Sequence, residues 1–281
     1  MTPGSEPGRP HLPVGRWGEA DSSAMEPARH LEILRREVGL LGSVDPRHLA
    51  ATVPTLDGWD VERVVRHVGK VHEWVLGMLR LEPGQGLGDA PAPAGLPKGP
   101  DCIPAYRAIA DELLDHLAGE DPDRACLNFA GPGTVAFWMR RQAQEVSVHR
   151  VDAQDAIHDA GGPAPDPIEA DGAADGIDEW ARFFLAVRWA QRDGVLPDDL
   201  VGRTIHIHGT DDPAPPDGAE WLLTFTGAGV EVEATHAKGD VALRGPANDL
   251  LLALWRRRPL GSIDVVGDGD VAARLLDVAR F

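Results

Sequence analysis

A glutamate and a histidine four residues apart, Glu145 and His149, form the first pair in this sequence whose types and spacing suggest chemistry. They lie in the run Phe137-Trp138-Met139-Arg140-Arg141-Gln142-Ala143-Gln144-Glu145-Val146-Ser147-Val148-His149-Arg150-Val151-Asp152, which reads as helix. Residues four apart on a helix project from one face. That face continues to Trp138 one way and to Asp152 and Ala156 the other, mixing apolar and ionisable groups. On a second amphipathic run, His67 lies between Val64 and Val71, close to the apolar stripe. If the two helices pack together, His67, Glu145 and His149 can meet at one point. Two imidazoles, a carboxylate and an open position suit zinc with a catalytic water, or non-haem iron. Plainer readings stand beside this one: a surface ion pair for Glu145 and His149, and a satisfied core histidine for His67.

Other residues invite similar questions. Asp152 follows His149 by three and can hydrogen-bond a ligand imidazole from behind; it can equally pair with Arg150 or Arg141. His72 follows His67 by five and points about 140° away, which suits a structural role. Arg256, Arg257 and Arg258 read as the end of a helix, where positive charge complements the macrodipole. His206 and His208 share one face of a strand, the spacing of a metal pair, but no third partner is near in sequence. The tryptophans at 59, 74, 138, 180, 189, 221 and 255 fall on apolar stripes or turns and read mostly as core.

The elements that must position these groups follow from periodicity. Apolar residues at helical spacing run from about Glu26 to Leu41, Val61 to Leu81, Ala105 to Leu117 and Thr134 to His158. Asp60 is a plausible N-cap for the second of these. The Gly/Pro-rich stretch from Pro83 to Pro104 reads as loop. Four helices with one long loop suggest a bundle. Gly161 to Pro167 is the best linker, followed by a helix over Ala170 to Gln191. Beyond Pro197 the texture alternates, at Thr204–His208, Trp221–Thr226, Val230–Ala234 and Val241–Leu243. A helix over Ala247–Arg257, a strand over Ile263–Val266 and a helix over Val271–Ala279 complete the chain. The expectation is a two-domain α+β protein: a tail over 1–24, a four-helix bundle over 25–165, and a smaller, largely antiparallel sheet with helices over 166–281.

Composition narrows the function. The 281 residues carry 27 Lys+Arg against 45 Asp+Glu, a formal charge of −18. That balance argues against nucleic acid, whose phosphates need cations to displace their counterions, and against anionic lipid. No apolar run approaches a membrane span. The N-terminus is rich in Pro, Gly and charge, lacks an apolar signal core, and points to the cytoplasm. Two cysteines, Cys102 and Cys126, cannot make a disulfide framework or a cysteine-rich zinc site. They suit a reducing compartment as structural thiols.

The wording around the candidate donors is more specific. Thr52-Val53-Pro54-Thr55-Leu56-Asp57-Gly58-Trp59, followed by Val64-Val65-Arg66-His67-Val68-Gly69-Lys70-Val71-His72-Glu73-Trp74, resembles a signature of the mycothiol-dependent maleylpyruvate isomerase family, within the DinB-like superfamily. Gln144-Glu145-Val146-Ser147-Val148-His149-Arg150-Val151-Asp152-Ala153 is similar to that family's second signature. Gly245 to Arg258, followed by Val266-Gly267-Asp268, is similar to its C-terminal domain. Departures at Leu56, Val65 and Val68 touch no donor. The resemblance implies an N-terminal bundle plus a smaller α/β domain. It also implies a metal, usually zinc, held by His67, Glu145 and His149, and mycothiol as co-substrate. It further implies an arginine facing the cleft, matched here by Arg257, to hold a substrate carboxylate. The expected activity is thiolate addition to an electrophilic small molecule, as isomerase or S-transferase. A metal-binding regulator or carrier without turnover is the alternative.

Overall fold

In the computed structural model the structure describes residues 25–189 and 196–280. The expected tail over 1–24, and the end of the helix read to Gln191, lie outside the described residues. Four long helices form the first half: α1 (Pro27–Gly42), α2 (Val61–Leu79), α3 (Cys102–Ala118) and α4 (Val135–Asp159). Both α1 and α2 pack on α3 and α4, closing a bundle. At the start of α2 the Asp60 carboxylate accepts the Arg63 backbone N–H at 2.8 Å, satisfying a donor the helix itself cannot pair. Val61, Val64, Val65, Val68 and Val75 are all buried, because their spacing gathers them on one stripe. Each such burial contributes roughly 1.5–3 kcal/mol relative to exposure.

The segment after α2 is irregular, as expected, but it is fastened down. Leu96 sits so close to α2 that a Cβ on Gly69 would lie 2.3 Å from its Cδ1. Arg66 Nε donates to Leu96 O at 3.0 Å, and the Gly95 N–H donates to Glu73 at 2.7 Å. Helix α3 begins at Cys102 rather than Ala105, so Pro104 lies in its first turn, where a missing N–H breaks no helical bond. A hairpin of β1 (Ala125–Asn128) and β2 (Gly131–Thr134), for which the sequence pattern suggested no element, then leads into α4. Gly131 takes φ +132°, and Asn128 Oδ1 accepts the Ala130 N–H at 2.7 Å.

The second half opens with α5 (Ala170–Glu179), which continues in a wider π-type winding over Trp180–Trp189. Five strands follow: β3 (Thr204–Gly209), β4 (Glu220–Thr226), β5 (Gly229–Glu233), β6 (Val241–Gly245) and β7 (Asp264–Gly267). Their order is β5-β4-β3-β6-β7, and only β3 and β6 pair in parallel. Ile205, Ile207, Leu223 and Phe225 share a core with Leu250 and Leu251 of α6 (Ala247–Leu254) and Leu275 of α7 (Gly269–Val278). The architecture is two-domain α+β. Helix α6 stops at Leu254, short of the expected Arg257, and Arg256 takes φ +62°. The three arginines therefore leave the helix axis instead of extending it.

Charge joins the halves. Asp175 of α5 lies 3.0 Å from Arg140 and 3.1 Å from His30, while Arg29 meets Asp171 at 2.8 Å. Burial alone would raise the Asp175 pKa, but Arg140 and His30 hold it well below the usual carboxylate range. No described helix is long and apolar enough to cross a membrane.

His72 tests the packing of the bundle. Fully buried on α2, it holds Nδ1 2.8 Å from Gln142 Oε1 and stacks on Tyr106 at 5.7 Å. Burial pushes its pKa down to about 4, whereas an unfolded histidine titrates near 6.5. Between those values the unfolded chain binds the extra proton, so stability falls as the pH drops through that window. From pH 7.5 to 5.0, His72→Leu protein should lose about 2 kcal/mol less stability than wild type in urea unfolding. Equal losses would contradict a neutral buried imidazole.

Candidate active site

The site begins with a turn. The Val53 N–H donates to Trp59 O at 2.9 Å, Thr52 bridges to Asp60, and Gly58 at φ +71° supplies a conformation that side chains disfavour. The turn lays the Trp59 ring parallel to His149, centroids 6.0 Å apart, and edge-on to His67 at 5.1 Å.

Beneath Trp59, α2 and α4 bring His67, Glu145 and His149 together, with one donor atom from each within 4.8 Å of the others. His67 Nε2 lies 3.2 Å and His149 Nε2 3.4 Å from the same oxygen, Glu145 Oε1. Tetrahedral ligands on zinc at ~2.0 Å stand about 3.3 Å apart, so this donor set fits such an ion with little movement. Behind it, His149 Nδ1 donates to Asp152 Oδ2 at 2.9 Å, which orients the ring so that Nε2 faces the cluster. The other Glu145 oxygen accepts from Arg141 Nη2 at 2.8 Å, and Arg141 is paired in turn with buried Glu179.

The electrostatics match this geometry. Burial opposes ionisation of Glu145, but His149, His67 and Arg141 outweigh it and hold the carboxyl well below its usual range. Burial likewise disfavours charge on His149, yet Glu145 and Asp152 push its pKa up to about 9. For Asp152, the contacts of His149 and Arg257 overcome burial and keep it ionised. Burial pushes Glu179 up to about 7 against the pull of Arg141 and Arg140. Burial pushes both free cysteines, Cys102 and Cys126, up to about 11.

The remaining candidates fall as follows. Asp152 pairs with neither Arg150 nor Arg141, since Arg150 Nε meets buried Glu37 at 2.6 Å. Its fully buried carboxylate is instead gripped by Arg257, with Nε and Nη2 each 3.0 Å from an oxygen. Arg257 Nη1 donates to Trp255 O at 2.8 Å. Its fork is thus turned onto a carboxylate of the chain itself, where the family resemblance implied a grip for a substrate carboxylate. Arg258 similarly meets Asp155 at 2.6 and 2.8 Å. These contacts replace the expected role of the arginines as helix-end charge. Trp138 is core, its Nε1 donating to Leu127 O at 3.0 Å. An open pocket of ≈ 240 Å³ adjoins Arg257, lined also by Thr55, Trp255, Arg256 and Arg280. Thr55 Oγ1 reaches Asp152 Oδ1 at 3.5 Å.

Trp59, Thr55, Arg141 and Glu179 were not singled out from the sequence as parts of the site. Arg141 stands four before Glu145 on the same helix face, a spacing that could have revealed it. Trp59 and Thr55 depend on the turn geometry, and Glu179 on the docking of α5.

Comparison with known proteins bears on both halves of the chain. Residues 30–154 match the model of the mycothiol maleylpyruvate isomerase N-terminal domain, and residues 171–274 match the MDMPI C-terminal domain. Two crystal structures share the fold. One is of a histidine-to-alanine mutant of the mycothiol-dependent maleylpyruvate isomerase, with TM-score 0.53 and 12% identity. The other is of that isomerase without the mutation, with TM-score 0.51 and 11% identity. Each alignment covers 86% of this chain and 93% of the other. No curated protein matches the chain. With both domain models matched in order along one chain, the protein belongs to the mycothiol maleylpyruvate isomerase family of enzymes.

Proposed function

We propose that this enzyme holds a divalent cation, zinc foremost, on His67, Glu145 and His149, and uses it to activate mycothiol for addition to an electrophilic small molecule. The carrying observation is the donor triangle itself, with both histidines within 3.4 Å of one Glu145 oxygen and Asp152 fixing the outer nitrogen of His149. When bound, the ion would lower the pKa of the co-substrate thiol, so that thiolate exists near neutral pH. The chain's own thiols, with pKa values pushed to about 11, are poorly suited to that task. Trp59 shields one side of the histidines from water, and Arg141 fixes the Glu145 rotamer. Thr55 and Arg257 hold Asp152, and Asp152 holds His149. Arg257 is therefore a positioning residue, while the neighbouring pocket with Arg256 and Arg280 gives a small anionic substrate a place to sit.

Isomerisation is the reading the family favours. The thiol adds across a cis double bond conjugated to a carbonyl, the resulting single bond rotates, and elimination returns the thiol unchanged. An S-transferase would consume the thiol. Two free, high-pKa cysteines and a small-thiol co-substrate suit the reducing cytoplasm.

The direct test measures metal content and turnover with mycothiol and maleylpyruvate. His149→Ala should lose its share of bound zinc and fall to background turnover, with helical content unchanged by circular dichroism. Retention of both metal and turnover would contradict the assignment. In wild type, product without thiol loss marks an isomerase, and stoichiometric loss marks a transferase.

Arg257→Lys separates positioning from substrate binding. Losing the two-point grip on Asp152 should weaken metal affinity or kcat by about 10–100-fold with KM little changed. A raised KM at unchanged metal affinity would instead place the guanidinium on substrate. Finally, the Cys102→Ala/Cys126→Ala protein should keep its turnover with mycothiol. Abolished turnover in a folded double variant would show that a chain thiol takes part.

A further inference from the structure

The sheet half carries a second convergence of donors, independent of the site in the bundle. His206 and His208 alternate on β3, so both leave the same face, opposite buried Ile205 and Ile207. On the adjacent strand, Glu220 is the register partner of His208. A fourth donor, His236, comes from the irregular stretch between β5 and β6. One donor atom from each of the four residues lies within 4.8 Å of the others.

From these positions we infer that His206, His208, Glu220 and His236 form a closed, four-coordinate site for a borderline divalent metal, zinc foremost. His206 Nε2 and His236 Nδ1 lie 2.7 and 2.6 Å from one Glu220 oxygen, and His208 Nδ1 lies 2.8 Å from the other. Three imidazoles thus crowd one carboxylate, with ring centroids 5.1–5.7 Å apart. Hydrogen bonding alone leaves the group incompletely satisfied: His208 Nδ1 is buried and close to Glu220 but lacks the direction of a hydrogen bond. A tetrahedral ion asks for donors about 3.3 Å apart, so His206 and His236 need draw back from the Glu220 oxygen they share by only about 0.6–0.7 Å. Three nitrogens and one oxygen fill all four positions of zinc, the arrangement of structural rather than catalytic sites. The bundle set, with three donors, leaves a position free.

The ion's role is mechanical. The 234–239 stretch has no regular structure and is tied to β3 just beyond its end, where the Thr204 N–H and hydroxyl meet the Asp240 carboxylate at 2.8 and 3.0 Å. Gly239 permits that approach, because a Cβ there would lie 2.9 Å from the His206 backbone nitrogen. A metal on His236 adds a second tie, fastening the stretch across β3 and β4. Such an ion raises the stability of the sheet half by mass action.

Zinc stoichiometry and thermal unfolding of the full chain test this. Wild type loaded with zinc and freed of loose metal should hold two ions per chain. His149→Ala should hold one and still show a zinc-dependent rise in Tm. His236→Ala, which alters an exposed side chain and so should fold, should also hold one and keep mycothiol-dependent turnover, and added to His149→Ala it should abolish that rise. His208→Ala should behave like His236→Ala. The inference is overturned if wild type binds a single ion that His149→Ala abolishes, or if His236→Ala and His208→Ala both leave stoichiometry and Tm unchanged. Failure of the bundle site would look different: His149→Ala would keep all its metal, whatever the sheet variants did.

Discussion

The Asp152 carboxylate, fully buried and shared chiefly between His149 and Arg257, is the contact on which the site depends. One oxygen accepts a hydrogen bond from His149 Nδ1 at 2.9 Å, and both face the Arg257 fork at 3.0 Å. His149 belongs to the bundle and Arg257 to the turn after α6, so a single carboxylate links the donor cluster to the sheet half. A buried charge with one partner removed is costly, on the order of 3–5 kcal/mol. The two halves are therefore not independent where the site is concerned. Misplacing the α6 turn would leave Asp152 without its cation and His149 free to rotate.

Similar couplings recur along the interface. Glu145 is held by Arg141, Arg141 by Glu179, and Glu179 lies on α5. Arg140 and His30 of the bundle meet Asp175 on the same helix. Each candidate metal ligand on α4 is thus backed by a charged side chain whose own partner lies beyond the bundle. Such backing restricts rotamers before any ligand arrives, which keeps donors near the geometry a metal needs. Trp59 covers the histidines from a turn anchored to the start of α2.

What could be read in advance divides along the reach of local periodicity. Helical spacing alone placed Glu145, His149 and Asp152 on one face, and the valine stripe of α2 placed His67 near the core. The two-domain α+β architecture was equally legible, because the change from helical to alternating patterning after Pro197 is strong. The β1–β2 hairpin was not, since its short strands and Gly131-Pro132-Gly133 look like loop. The family resemblance points to Arg257 but not to its partner Asp152: the positive φ at Arg256 redirects the chain, and no helical pattern announces that. His206 and His208 looked like a pair lacking company because Glu220 and His236 arrive only through strand register and a connecting stretch. Tertiary geometry supplied the missing donors in one site and the supports in the other.

X-ray absorption at the zinc edge of the His236→Ala protein, with and without mycothiol, tests the central claim most directly. With the sheet site disabled, the bound zinc should show only nitrogen and oxygen neighbours, two of them imidazole. Adding mycothiol should bring in one sulfur at about 2.3 Å. A coordination shell that stays free of sulfur, while turnover with mycothiol proceeds, would contradict thiol activation at His67, Glu145 and His149.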